Sequence, residues 1–439
     1  MGTVFTDQWG APLQARTPEG VALFDRAVDG LARLGGEPVA DAEAAVAADP
    51  DLVLARLLGA YFALYGASAA GVAAARGMLA DVESGPGPRG EREVLHHRAA
   101  RSWADGDWVA ATGALERALL HDPRDLVALK VAQDLCFFLG DQAGLLAVAT
   151  RVLPAWTSDR PGWGYVQGIL AFGLEESGDY RAAEGHARAA LAANPADVWA
   201  THALAHVFEM EGNQQAGVSF LTETAGDWTP SYFAVHNWWH LALFELELGR
   251  VDAVLDIYDG PIRSKRSTEW LDIVDAAALL WRLSLFGVDI TERVGRLADD
   301  IEPLLDSSVY VFNDWHAVMA FGLAGRADLV DRVIVEAHRG SVGTNRSVAE
   351  RVGLSLLQGF ASVADGRTER GLDLLFGARS EARAVGGSNA QRDVIDLTIM
   401  AAGARIGSRR LVNELASGRQ DRKPTSVDAT RALVEANSA

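Results

Sequence analysis

Three observations in this 439-residue sequence predict an all-α protein built as a solenoid of helical hairpins. Turn landmarks recur at a near-constant interval. Gly106-Asp107, Gly140-Asp141, Gly178-Asp179, Gly212-Asn213 and Gly249-Arg250 follow one another at spacings of 34, 38, 34 and 37 residues. The segments between them carry Ala, Leu and Val in helix-period patterns. Hydrophobic residues make up 49% of the chain and Pro only 14 residues, which fits a sizeable buried core of little-interrupted helices.

Each part of the repeat has a physical reason. Gly tolerates the left-handed backbone that ends the first helix of a pair. Asp or Asn before Pro closes the second, as at Asp122-Pro123 and Asn194-Pro195, each 16 residues after its Gly landmark. Asp49-Pro50, Gly325-Arg326 and Gly366-Arg367 look like further copies. Small residues in segments such as Tyr180–Leu191 let paired helices approach closely. A lone hairpin leaves an apolar face bare, so hairpins must stack, and a period near 34 is that of the tetratricopeptide repeat. The expectation is therefore a right-handed α-solenoid of tetratricopeptide-like helical hairpins. It forms one superhelical domain over 1–439, with repeats over about 20–416 and a polar C-terminal tail over 417–439. Within that tail, Arg431–Glu435 has the composition of a last short helix. The least regular stretches are 85–88, 259–268 and 339–347. Residues 57–75 carry no charge, but the break at Gly66-Ala67-Ser68 makes them two short helices rather than a membrane span.

Composition narrows the function classes. A formal charge of −19 repels phosphate backbones and argues against a nucleic-acid partner. Lys occurs only at 130, 265 and 423, and the bias to Arg suggests a GC-rich bacterial source. The lone cysteine, Cys136, lies in the apolar run Leu135–Leu139 and reads as a packed core residue. Met1-Gly2-Thr3 lacks the basic start and apolar core of a signal peptide, so the expected location is cytoplasmic, with no membrane partner. The formal match of Met1-Gly2 to an acylation pattern is taken as chance. Walker loops and dinucleotide fingerprints do not occur, and Gly66–Ala70 is no nucleophile elbow.

The chemistry-bearing residues concentrate in the middle of the array. His202 and His206 form one i, i+4 pair and His236 and His240 another, with equivalent members 34 residues apart. Neighbouring repeats thus present two imidazole pairs from equivalent helices. The first helix of each hairpin lines the concave face, which adds Glu175, Glu176, Trp199, Glu209, Trp238, Trp239, Asp272, Asp275, Asp314 and His316 to the set. His202, His206 and Glu209 share one helical stripe. In a first reading, an imidazole handles a proton while Glu209, Asp275 or Asp314 orients it, inside tryptophan walls that exclude water. In a second, the His pairs hold a divalent metal with Glu209 or Asp275, although the Glu of the metalloprotease motif is missing. In a third, the histidines are structural. Glu175 and Glu176 precede a turn, where solvated carboxylates are common, and only one of them can face the groove. Arg282 suits an ion pair with Asp275 or a neighbouring carboxylate. Gln391, Arg392 and Asp393 follow a Gly-Gly-Ser cap and tie the last hairpins together, with Arg392 also able to reach a ligand anion. His96, His97, His121, His186 and His338 read as residues of helix surfaces or ends.

The strings Trp199–Glu209, with His202 and His206, and His236-Asn-Trp-Trp-His-Leu-Ala-Leu-Phe244 resemble the tetratricopeptide repeat protein 38 family. Ala171–Glu176, Leu279–Leu283, Asp314-Trp-His316 and Gly386–Asp393 agree with it, and the likeness runs from about 20 to 426. Asn389 departs from the family's pattern, which often has His there. The resemblance implies a helical-repeat fold and no particular reaction. Together these readings predict a His-, Trp- and carboxylate-lined pocket for a small polar molecule, with cofactor-independent acid/base chemistry. The alternatives are a protein- or peptide-binding scaffold and a divalent-metal hydrolase or lyase. A scaffold would need an open groove with repeated Asn and Lys/Arg clamps.

Overall fold

The computed structural model describes residues 3–85, 87–305 and 308–438. Met1-Gly2 and Pro86, two positions singled out above, lie outside them. The described chain is a succession of antiparallel helical hairpins, as the repeat spacing predicts. One short β-hairpin departs from this, with Thr3–Thr6 paired to Pro12–Ala15. Four-residue strands leave too little alternation for the sequence to announce them.

The Gly-Asp landmarks work twice. Gly106 has φ +85°, and the amide of Asp107 reaches back to the carbonyl of Ser102 at 2.8 Å, closing the helix Glu91–Ala104. The Asp107 carboxylate then accepts from the Ala110 amide at 2.9 Å and opens Trp108–His121. Gly178-Asp179 repeats this, with φ +86° and the Ala182 amide 3.1 Å from Asp179. The second turn type ends on a cap too: Asp125 receives the Ala128 amide at 3.1 Å and starts Leu126–Phe138. Two short polar strings thus set both ends of these hairpins, while Asn213, Arg250, Arg326 and Arg367 open their helices without a side-chain cap.

The chain forms two compact units. The first holds the residues up to Leu204 together with Ala225–Ala234. There, Glu91–Ala104 pairs with Trp108–His121 and Trp163–Glu176 with Tyr180–Ala193, and Pro18–Arg33 packs against Leu126–Phe138. Cys136 is buried, and burial pushes its thiol up to about 12. The uncharged stretch 57–75 resolves into Val53–Tyr65 and Ala69–Ser84, the latter capped by Ser68 on the Gly71 amide at 3.1 Å. Among the described residues, no helix is long and apolar enough to cross a membrane.

The second unit comprises Ala205–Thr224 and the residues from Val235 onward. Trp270–Leu285, Val311–Leu323 and Leu354–Ala364 pack in succession. Asn389–Arg405 then returns against Trp270–Leu285, where the Trp281 indole donates to Thr398 Oγ1 at 2.9 Å. The segment expected as a polar tail is helical over Arg409–Arg422 and Val427–Asn437 and carries core residues: Lys423 is 2% exposed and Leu433 fully buried. Its charges have partners inside this unit, described below, which a composition-based reading cannot see.

At Gly178, no atom lies within 4 Å of where a Cβ would sit, so a substitution there meets only the strain of a left-handed backbone. Gly178→Ala is expected to lower unfolding free energy by about 1 kcal/mol at unchanged m value. An unchanged urea midpoint would remove this turn from the determinants of the fold.

Candidate functional site

Two helices build the centre of the second unit. Ala234–Glu247 brings His236 and His240 to one face by their i, i+4 spacing, and the C-terminal half of Val198–Glu211 brings His206. His206 and His240 are fully buried and His236 nearly so. The rings of His206 and His240 lie 4.6 Å apart at 60°, and those of His236 and His240 4.9 Å apart at 88°. Each of the three histidines offers a ring nitrogen within 4.8 Å of the others'.

Asp275, from the adjacent Trp270–Leu285, fixes the first of these rings. Its Oδ2 lies 2.8 Å from His236 Nδ1, with both side chains buried. The Nδ1–H donates to the carboxylate, so the Nε2 atom carries the lone pair. Trp239 stacks on His236 at 5.3 Å and 17°. Burial, then the neighbouring imidazoles of His206 and His236 and the cations Lys423 and Arg282, hold His240 well below the usual histidine range. The centre is therefore a set of buried imidazoles, of which His240 is held in its uncharged form. Such groups can accept a proton, accept a hydrogen bond, or donate a lone pair to a metal.

A charge network belongs to the same unit and was largely missed from sequence. Lys423 donates to Glu209 and lies 3.8 Å from Asp393. Arg419 donates to Asp393 at 3.0 Å and also to Glu247. Burial alone would raise Asp393, but Arg419 and Lys423 outweigh it and hold the carboxyl well below its usual range. Burial would likewise lower Lys423, yet Glu209 and Asp393 raise it. Glu209 therefore answers an ammonium, where the sequence suggested it would orient a histidine. Arg282 also differs from expectation. It does not bond Asp275; it donates to the carbonyls of Ala278, Ala390 and Gln391 at 3.2, 2.9 and 3.3 Å, and its guanidinium lies 5.4 Å from the Trp239 ring. Burial brings it down to about 10. The available signal for Lys423 was its rarity, since only three lysines occur and two of them are 2% exposed.

The other predicted residues fall in several places. His316 is buried on Val311–Leu323, and its Nδ1 donates to the Phe312 carbonyl at 2.8 Å. Its Nε2 meets no hydrogen-bonding partner among the described residues, and burial pushes it down to about 3. Asp314 accepts from Ser308 near the start of that helix. Trp238 is half-buried. Arg392 holds the Gly-Gly-Ser cap through the carbonyls of Gly386 and Gly387 and through Asn389 Oδ1 at 2.8 Å, so its donors point into the turn. Gln391 completes a capping box with Ser388.

His202, Trp199, Glu175 and Glu176 belong to the first unit. His202 packs among Phe172, Trp199 and Phe233, at ring distances of 5.3, 5.0 and 5.2 Å. The ammonium of Lys130 sits 4.1 Å above Trp199 and bonds Asp134 at 2.5 Å. Glu175 and Glu176 are both buried, contrary to the solvated reading, because the last turn of Trp163–Glu176 lies inside its unit. His96 is also interior. Its Nδ1 meets the Tyr61 hydroxyl at 3.0 Å and its Nε2 meets Asp125 at 2.9 Å, while Arg92 spans Asp125 and Asp7. The 33-residue spacing of Arg92 and Asp125, about one repeat, was the signal for that contact.

No family model matches the chain. Among solved structures it is similar to the Rap protein complexed with competence and sporulation factor, at 14% identity, over 79% of this chain and 99% of that one, with a TM-score of 0.45. It is also similar to a tetratricopeptide repeat protein from Parabacteroides merdae ATCC 43184, at 16% identity over 70% and 99%, TM-score 0.36. Yeast Tom70 matches at 11% identity over 95% and 88%, TM-score 0.33. By its own order of helices, the chain is an all-α array of helical hairpins.

Two outcomes follow from the buried charges. His316 titrates near 3 when folded and near 6.5 when unfolded, so its stabilisation is complete above pH 6.5 and is lost as pH falls toward 3. Between pH 6 and 4, unfolding free energy should fall about 1.4 kcal/mol per pH unit more steeply in the wild type than in His316→Gln. Equal slopes would refute the neutral buried assignment. Lys423→Met leaves Glu209 without its cation and should cost about 3–5 kcal/mol in guanidinium unfolding, with Glu209→Gln partly restoring it. A loss below about 1 kcal/mol would show the pair to be dispensable.

Proposed function

We propose that this helical-repeat protein binds a small polar molecule in the enclosed centre of its second unit, through the imidazoles of His206, His236 and His240. The observation that carries the reading is the buried His236–Asp275 bond of 2.8 Å beside two further buried imidazoles. A core built only for stability gains little from three imidazoles and a carboxylate placed together, since each must be desolvated. The group offered to the ligand is an imidazole nitrogen, on a ring oriented by the carboxylate behind it. Arg282, kept from Asp275 by its carbonyl partners, supplies a nearby positive field. We place the chain with the tetratricopeptide repeat protein 38 family, because the two histidine strings and Gly386–Asp393 that carry the resemblance contribute to this unit's interior.

A second reading, a scaffold for a protein or peptide partner, is favoured by the hairpin architecture, since stacked repeats offer broad surfaces. Among outward-facing apolar side chains, Val109, Leu120 and Phe376 are each more than half exposed.

The two readings separate in a thermal-shift screen of chelator-treated full-length protein against small carboxylic acids, amines and sugars. The centre should yield a compound that raises the wild-type midpoint at 100 times its Kd by the equivalent of about 2.7 kcal/mol. His240→Gln, with unchanged circular dichroism, should lose that shift. Compounds that stabilise wild type and His240→Gln equally would sink the centre as their site.

A further inference from the structure

We propose that the His206–His236–His240 triad is a site for a divalent transition metal. The inference rests on the reading of this centre as a ligand site and deepens it by naming its first ligand. No histidine of the first unit forms a comparable set of imidazoles within that unit. His96, for example, meets Tyr61 with one ring nitrogen and Asp125 with the other, and no second imidazole.

Three features of the triad fit a metal. The donor atoms come first. The ring nitrogens lie within 4.8 Å of one another, and a tetrahedral ion with bonds of about 2.0–2.1 Å requires about 3.4 Å between donors. The remaining difference is on the order of an ångström, within reach of small χ rotations on two facing helices. The second feature is the carboxylate behind the donor. Asp275 on His236 Nδ1 is the arrangement by which a carboxylate orients a ligating imidazole from behind. Asp275 Oδ1 has no hydrogen-bonding partner among the described residues. The third is charge. Glu209, Glu247, Asp275 and Asp393 face Arg282, Arg419 and Lys423 in this unit's interior, four carboxylates against three cations. The carboxylates outnumber the cations by one, although Lys423 and Arg282 act on His240 directly and lower it.

The donor type narrows the metal. Three imidazoles suit zinc, cobalt, nickel, copper or iron, and are a poor set for magnesium or calcium, which want oxygen. Three protein ligands also leave a fourth position for a ligand atom, as catalytic zinc sites do. That position is where the small molecule proposed above would bind.

The test uses the full chain, stripped with a chelator, dialysed and titrated with cobalt(II) alone. One equivalent should develop the visible absorption of a nitrogen-ligated, low-coordination cobalt ion, and zinc(II) should displace it stoichiometrically. His206→Gln and His240→Gln, checked by circular dichroism, should lose the band. Asp275→Asn should keep the stoichiometry but weaken affinity 10- to 100-fold. A wild-type protein that binds no cobalt overturns the inference whatever the variants do. So does a band that survives both histidine changes, which would place the ion elsewhere. If cobalt fails to bind while a small molecule still stabilises chelator-treated protein through His240, the metal falls and the ligand site stands. If cobalt binds and no small molecule does, the reverse holds.

Discussion

The Lys423 ammonium, buried between Glu209 and Asp393, is the contact on which the interior of the second unit depends. An ammonium in a dry protein core is costly unless carboxylates surround it. Here one carboxylate comes from the histidine-bearing helix Val198–Glu211 and the other from Asn389–Arg405. The turn that carries Lys423 is thereby fixed to both. Arg419, one helical turn earlier, repeats the bond to Asp393 and adds Glu247 at the end of the second histidine helix. The C-terminal helices are thus an integral wall of this unit.

That closure explains the state of the histidines. With the C-terminal segment in place they are buried, and His240 is held neutral by loss of water first and by its neighbours second. Asp275 then acts on His236 across a distance that water does not share, which strengthens the bond. Polar groups that survive such burial are usually answered by neighbours, and most here are. In the triad, imidazoles lie beside one another as well as beside other groups.

The first unit shows what the same repeat does when its buried polar groups satisfy themselves. Arg92, Asp125, Asp7, His96 and Tyr61 form a network in which the guanidinium meets two carboxylates and the imidazole is engaged at both nitrogens. Asp125 is also the cap of its helix, so one carboxylate serves both the turn and the core. Such a network fixes the register between hairpins, as a buried polar contact does in other helical assemblies. It offers nothing to a ligand.

The sequence alone determined the hairpins, because Gly at a left-handed turn and Asp at an N-cap act within a few residues and need no distant partner. It also singled out His206, His236 and His240 as candidates, since i, i+4 spacing repeated after 34 residues puts each pair on one stripe of its helix whatever surrounds it. What the tertiary structure decided were the partners. Asp275 bonds His236 and not Arg282, Glu209 bonds Lys423 and not a histidine, and Arg392 turns into its own cap. Those pairings join residues 39 and 214 positions apart in the first two cases. Local periodicity carries no information about such distances. Only the return of the C-terminal helices over the earlier ones sets which charge meets which.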